Sequence, residues 1–250
     1  MRKFVLYLLL AVSLSGCGKR GALIPPEALV PAAVGSAEVG QRGNGFRVSW
    51  SAPGREESGR PLQGKLRYRL HRREVLPPGR DCSACPDVWK LLAEADPAVP
   101  GSIEQRDGRL TYIDRNLLPD VTYQYRVQAV DASGGVSRPA TLPPRQWVTP
   151  PFPPVLQALP GHAGVRLEFV APTSAPRETA VGYLLFRQDA TGGTVRQLTP
   201  TPLSAVTFDD NQVRLGVTYR YTARTVAVIG GQTVESADSN EAVITVAMPE

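Results

Sequence analysis

Apolar and polar residues alternate with a period of two through most of the chain. Phe46, Val48 and Trp50 alternate with Arg47 and Ser49, and Leu66, Tyr68 and Leu70 alternate with Arg67, Arg69 and His71. Tyr123, Tyr125, Val127 and Ala129 alternate with Gln124, Arg126 and Gln128. In the second half, Val165, Leu167 and Phe169 alternate with polar partners, as do Tyr219, Tyr221 and Ala223. Alternation over four to eight residues, bounded by Gly, Pro and Asp clusters, predicts half-buried antiparallel strands. Many such strands at regular spacing predict a sandwich of two sheets. Residues 88–95 are ambiguous between a short helix and a strand, and we read their start as a strand.

The 24 prolines and 23 glycines are spread among these runs, where turns require them. Residues 21–31 carry Pro25, Pro26 and Pro31 and read as an extended tether. Thr149-Pro150-Pro151-Phe152-Pro153-Pro154 reads as a semi-rigid polyproline spacer, which places a domain boundary close to Pro151. The organisation expected is residues 1–16 as a signal peptide, 17–31 as a tether, 32–149 as a first module and 150–250 as a second.

The two halves repeat each other. Thr111-Tyr112-Ile113-Asp114, followed by Thr122-Tyr123-Gln124-Tyr125, recurs as Thr207-Phe208-Asp209-Asp210, followed by Thr218-Tyr219-Arg220-Tyr221. The third strands align only when Tyr68 is set on Tyr183, so the first copy carries an insertion, most of it within residues 76–101. Trp50 with Ala52-Pro53, a Tyr-led strand, and the run from Leu118-Pro119 through Thr122-Tyr123-Gln124-Tyr125 to Ala129-Val130-Asp131 resemble fibronectin type III domains. The second copy is similar, with Phe169 in place of the tryptophan. The resemblance implies an all-β chain of two consecutive immunoglobulin-like sandwiches. It also implies that Tyr123 and Tyr219 are tyrosine corners, with buried rings and hydroxyls bonded to nearby backbone.

The first residues change the picture from fold to location. Arg2 and Lys3 precede an apolar run at residues 4–12 and then Leu14-Ser15-Gly16-Cys17. A cationic start, a short apolar stretch and small residues before a cut site describe a secretory signal. The run is too short for a permanent membrane span, which needs about 20 residues. Leu-Ser-Gly-Cys resembles the bacterial lipobox, which implies that Cys17 is lipidated and becomes the first mature residue. Several acyl chains make such an anchor durable. Gly18 is not the Asp that retains enteric lipoproteins at the inner membrane, so the resemblance implies an outer-membrane lipoprotein, with the periplasmic face favoured and the cell surface the alternative. The formal net charge of +5 falls to +3 once Arg2 and Lys3 are cleaved. That mild balance argues against nucleic acid, whose binding proteins cluster Lys and Arg on one face.

Candidate chemistry is sparse. The two histidines, His71 and His162, lie in different modules, and no Gly-x-Ser-x-Gly elbow accompanies them. The adjacent carboxylates Glu56-Glu57 and Asp209-Asp210 read as solvated turn residues. No phosphate-cradling glycine loop or paired zinc-ligand cluster occurs. No catalytic residue, cofactor or metal is expected.

Cys82-Ser83-Ala84-Cys85 sits in a proline-flanked loop of the first module. In an oxidising compartment a local disulfide pinning that loop is the expected state; a redox role in the loop and a metal site or free thiols are the other readings. Two surfaces could bind. If Leu66, Tyr68 and Leu70 face inward, Arg67, Arg69, His71 and Arg73 line the outer face with Arg126, a basic face suited to anionic glycan, lipopolysaccharide or headgroup phosphate. The alternative is a solvated sheet face. If Tyr183 and Leu185 point inward, Leu184 and Phe186 point outward beside Arg220 and Arg224, as in an interface with a polar rim. The alternative is a pair covered by the other module or its own loop.

Cys17-Gly18-Lys19-Arg20-Gly21-Ala22-Leu23 also resembles the start of small outer-membrane lipoproteins that assist assembly of the lipopolysaccharide translocon, with Ala22 where that pattern has proline. Three function classes follow: a protein–protein adaptor, a glycan or lipopolysaccharide binder, and an assembly factor for an envelope machine. Glycan binders display exposed aromatic platforms, and Trp50 reads as buried, leaving Trp89 and Trp147. The expectation is therefore a non-catalytic binding or scaffolding lipoprotein with an envelope protein partner.

Overall fold

The structure is a computed structural model that describes residues 25, 28–99, 101, 103–106, 108–170 and 180–247. The expected signal peptide, Cys17 and most of the expected tether lie outside the described residues.

In the first half, β1 (Gly35–Arg42), β2 (Gly45–Ser51), β6 (Arg109–Asp114) and β5 (Glu104–Arg106) form one sheet layer in that order. The facing layer runs β4 (Lys90–Ala95), β3 (Arg67–Glu74) and β7 (Thr122–Val130), with the short β8 (Ala140–Thr141) and β9 (Arg145–Gln146) both paired to β7. The second half repeats the plan. β10 (Val155–Gly161), β11 (Gly164–Val170) and β14 (Thr207–Asp210) form one layer. The other runs β13 (Arg196–Gln197), β12 (Ala180–Asp189) and β15 (Thr218–Ile229), with β16 (Gln232–Glu235) and β17 (Ala242–Thr245) both paired to β15. This is an all-β chain of immunoglobulin-like sandwiches with the fibronectin type III-like arrangement.

The period-two pattern builds the cores. Phe46, Val48 and Trp50 of β2 are fully buried against Tyr68 and Leu70 of β3 and against Tyr123, Tyr125 and Val127 of β7. Val165, Leu167 and Phe169 of β11 meet Tyr183 and Leu185 of β12 and Tyr219, Tyr221 and Ala223 of β15 in a separate core. Each such large apolar side chain contributes about 1.5–3 kcal/mol on burial. Trp50 packs on Tyr68 at 5.3 Å between ring centroids, and Phe169 stacks on Tyr183 at 5.4 Å, so the two aromatic anchors occupy equivalent places. Burial pushes the Tyr68 hydroxyl up to about 12. Both tyrosine corners form: the backbone N–H of Leu118 donates to Tyr123 Oη and that of Arg214 to Tyr219 Oη, each at 3.0 Å.

Residues 88–95 begin differently from the reading above. Pro86–Val88 make a single 3-10 turn, closed by Trp89 N–H donating to the Pro86 carbonyl at 3.1 Å, and the strand starts only at Lys90. Pro86 sets a backbone angle suited to that turn and has no N–H to give a ladder.

The layers also join across the halves, which the alternation does not predict. Residues 226–229 and 232–235 extend β15 and β16 into a hairpin turning on Gly230 and Gly231, both at positive φ. A two-residue glycine turn of this kind matches the twist of a hairpin. β16 then pairs in parallel with β1, Gln41 opposite Val234 and Arg42 opposite Glu235, and Gly43 N–H donates to the Glu235 carbonyl at 2.8 Å. One nine-stranded sheet results. The edge of β1, otherwise an open row of backbone donors and acceptors, is covered by this pairing.

The proline-rich segment is lashed down at both ends. The Gln41 side-chain amide donates to the Val148 carbonyl at 2.5 Å and accepts from Val148 N–H at 3.2 Å. Trp147 Nε1 donates to the Asn44 carbonyl at 3.2 Å, and Asn240 holds both backbone groups of Leu156 at 2.8 Å.

Candidate functional site

The nine-stranded sheet curls around a groove of about 1090 Å³ between the two halves. Its apolar floor is Leu184 and Phe186 of β12 with Val226 of β15, and Val195 packs beside them. Its opposite wall is Arg47 of β2, Thr111 of β6 and the strand β5. Arg106 of β5 donates to the Val195 carbonyl at 3.3 Å and so links the two rims. Arg220 stands exposed near Glu241 at 3.2 Å.

Leu184 and Phe186 turn away from the second core, as period two requires, but they are 9% and 8% exposed. The expected open apolar pair is covered, because the Arg224 guanidinium lies 4.1 Å over the Phe186 ring. Arg224 itself is buried and donates to Asp238 at 2.6 Å and Glu235 at 3.0 Å. Asp238 also accepts from Arg42 of β1 at 2.6 Å. Burial pushes the Asp238 carboxyl up, but hydrogen bonds and charge from Arg224 and Arg42 outweigh it and hold the group below its usual range. The carboxylate is thus a joint between the modules. Arg42, Arg106 and Asp238 carried no signal in the sequence, because their meeting depends on how the halves dock.

On the outer face of the first module, Arg67, Arg69 and His71 of β3 stand beside Arg126 of β7, with His71 directly opposite Arg126. Arg69 donates to Glu94 at 2.9 Å. Arg73 departs from the expected open face: it is 5% exposed and grips Asp81 through two bonds at 2.5 and 3.0 Å, with a third to Gln124 at 2.8 Å. The inserted loop folds back and brings Asp81 over it. Asp81 is held below the usual carboxylate range by the Arg73 hydrogen bonds and by Leu76 N–H. Cys82 and Cys85 of that loop are joined as a disulfide. Trp89 follows it, its indole N–H donating to the Ser83 carbonyl at 2.9 Å. Its ring carries Arg126 at 4.7 Å and Arg73 at 5.4 Å. Burial lowers the His71 pKa, and the charges of Arg126 and Arg69 lower it further.

One adjacent carboxylate pair departs from the turn reading. Asp209 is exposed, but Asp210 is 3% exposed inside the second module. It accepts from Arg187 at 2.6 Å and from the Tyr221 hydroxyl at 3.0 Å. Asp114 does the same in the first module with Arg72 at 2.7 Å and Tyr125 at 2.8 Å. Burial, and next the adjacent carboxylate, raise the pKa of both tyrosines. The sequence held a signal for this network: the register that aligns the tyrosine strands sets Asp114 on Asp210, and the one that aligns Tyr68 on Tyr183 sets Arg72 on Arg187. The bonds close a structural lock in each core. Among the described residues, no group of three or more His, Cys, Asp or Glu side chains is placed to hold a metal ion.

No protein-family model matches the chain, and no curated protein matches it. Among solved structures it is similar to the chicken CNTN1 FN1-FN3 domains, at 15% identity over 88% of this chain and 68% of that one, with a TM-score of 0.30. It is also similar to the selenomethionine-substituted chicken interferon gamma receptor alpha chain, at 13% identity over 88% of this chain and 100% of that one, with a TM-score of 0.33. The fold assignment rests on the strand order and cores described above.

Proposed function

We propose that this chain is a lipid-anchored, non-catalytic protein of the bacterial outer membrane that holds an envelope protein partner in the groove between its two modules. The observation that carries the binding reading is the shared sheet. β1 and β16 are paired, and Asp238 ties Arg42 to Arg224. A groove walled by two modules and fixed in this way needs little ordering when a partner enters, and preorganisation of that kind favours affinity. With the apolar floor covered, the groove presents arginines and carboxylates, which fit a charged protein surface better than a flat sugar, which is bound on exposed aromatic rings. The anchor reading is supported by Arg2, Lys3, the apolar run and Leu14-Ser15-Gly16-Cys17.

Two measurements test the proposal. A photo-reactive residue at Gln105, which lines the groove, should cross-link one envelope protein in intact cells, whereas the same residue at Asp87 on the inserted loop should not. Adducts that are equal at both positions, or absent from Gln105, refute the groove as the binding surface. Separately, Cys17→Ala should abolish labelling by a palmitate analogue and leave the precursor uncleaved; equal labelling of the variant rules out the anchor.

A further inference from the structure

We infer that the partner enters the groove as an extended, acidic strand that hydrogen-bonds to the open edges of β5 and β13 and so closes the nine-stranded sheet. This rests on the groove reading and deepens it, by naming the form and charge of what the groove takes.

The path of that sheet runs β13, β12, β15, β16, β1, β2, β6, β5, so its two ends are the short strands β13 and β5. In a flat sheet such ends would lie farthest apart. Here the sheet curls, and Arg106 of β5 donates to the carbonyl of Val195, the residue before β13, at 3.3 Å. Neighbouring strands lie about 4.8 Å apart, so one strand inserted between two others needs flanks about 9.6 Å apart. A fully extended arginine side chain with its hydrogen bond reaches about that far. At this point the ends of the sheet are no wider apart than one missing strand. A curled sheet with such a gap is a barrel left open, and closure removes both edges.

Both ends turn backbone groups to the gap. Leu198 N–H donates inward to the Leu185 carbonyl at 2.8 Å. Backbone groups of an antiparallel strand alternate in direction from one residue to the next, so those of Gln197 and Val195 face outward. The Val195 carbonyl, met by Arg106 from across the gap, has that direction. On the other side Glu104, Gln105 and Arg106 all line the groove, although successive side chains of a strand point to opposite faces. β5 therefore presents its edge. Strands of three and two residues are short enough to blunt pairing at either edge alone, but a segment lying between them is paired on both sides. In such strand addition the main chain supplies affinity and alternate side chains supply specificity.

Charge selects those side chains. Arg42 and Arg224 are held by Asp238, and Arg220 stands near Glu241. Arg47 and Arg106 also line the groove, and among the described residues neither has a carboxylate partner. Glu104 beside them leaves a surplus of positive charge. A strand in the gap turns every second side chain inward, so an Asp or Glu at an inward position meets Arg47.

The test uses the full-length protein in intact cells, with a photo-reactive residue at Gln105 or at Gln197 and the adducts sequenced by mass spectrometry. Adducts from both positions should map to one stretch of about six residues in a single envelope protein, a usual strand length, containing at least one Asp or Glu. Gln197→Pro removes an outward N–H and leaves the inward bond of Leu198, and it should cut the Gln105 adduct several-fold, the effect of one lost hydrogen bond. Gln197→Ala should leave the adduct unchanged. Arg47→Gln should weaken capture several-fold, whereas Arg60→Gln, an equal loss of charge at an exposed position of the first module, should not. Capture at Gln105 with the two positions mapping to separate segments, equal loss in Gln197→Pro and Gln197→Ala, or equal loss in Arg47→Gln and Arg60→Gln overturns the strand and leaves the groove reading standing. An adduct within this chain or between two copies of it means a different occupant and also overturns the strand. No adduct from Gln105 overturns both readings. If the proline variant does not fold, the mapped segments and the two arginine variants decide.

Discussion

Arg187 donates to Asp210 at 2.6 Å inside the second module, where the Asp210 side chain is 3% exposed and that of Arg187 10%. The same guanidinium reaches the Gln212 carbonyl at 2.9 Å and lies 5.0 Å from the Tyr219 ring, so one arginine ties the end of β14 to the tyrosine corner. Arg72 does this in the first module with Asp114, the Asn116 carbonyl and the Tyr123 ring. Removing one partner of a buried pair leaves an uncompensated charge and costs about 3–5 kcal/mol. Asp210→Ala should therefore lower stability by roughly that amount in urea unfolding, whereas Asp209→Ala, one residue away and exposed, should change it by less than about 0.5 kcal/mol.

The tyrosine corners offer a smaller perturbation of the same region. Tyr123→Phe and Tyr219→Phe each keep the ring and remove only the oxygen that accepts from Leu118 or Arg214 N–H. Each should cost about 0.5–1.5 kcal/mol, the net worth of one hydrogen bond, because the donors belong to the exposed residues Leu118 and Arg214 and can turn to water. The two effects should add, because the corners lie in separate cores. Thermal melts of the single and double variants check both statements.

Coupling between the modules passes through the turn after β1. Gly43 has φ +52°, and a Cβ there would lie 3.4 Å from the Ala237 backbone nitrogen of the second module. Gly43→Val adds left-handed strain of about 1–2 kcal/mol and presses on that contact. Calorimetry should show one unfolding transition in the wild type and two in the variant. A single transition in both would mean that the shared sheet is not held through this turn.

His71 makes stability depend on pH in a defined direction. Burial, with Arg126 and Arg69, depresses its pKa in the folded state below the ordinary 6.5, so the unfolded chain takes up the proton first. The native state therefore loses stability as pH falls through that value toward the lower folded pKa. The melting temperature of His71→Asn should fall less than that of the wild type between about pH 7.5 and pH 5.5.

The disulfide between Cys82 and Cys85 closes a very short loop, so its effect on the unfolded chain is below the roughly 3 kcal/mol of a 15-residue loop. Its structural effect is local, since Ser83 between the two cysteines accepts from the Trp89 indole. Replacing both cysteines by serine should leave the melting temperature nearly unchanged while making Trp89 more accessible to a fluorescence quencher. Thiol counting on the wild type under denaturing, non-reducing conditions should find neither cysteine reactive.

What depends on short-range periodicity is legible in the order of residues. Alternation at Phe46, Val48 and Trp50, and again at Val165, Leu167 and Phe169, specified which faces become cores, because a strand turns successive side chains to opposite sides. Repetition of the tyrosine strands specified both corners, since a tyrosine five residues after its backbone partner meets it within one local turn. Tertiary structure decided everything that depends on two distant segments meeting. Leu184 and Phe186 point away from their core as the alternation requires, yet they are covered because Arg224, anchored by Glu235 and Asp238, lies across them. Asp210 reads as a turn residue until β12 brings Arg187 to it from 23 residues away. Arg73 reads as part of an open basic face until the inserted loop places Asp81 on it. The groove exists only because β16 adds to the edge of β1. That pairing uses backbone hydrogen bonds, which every residue can accept and every residue except proline can donate, so no side-chain pattern in the chain records it.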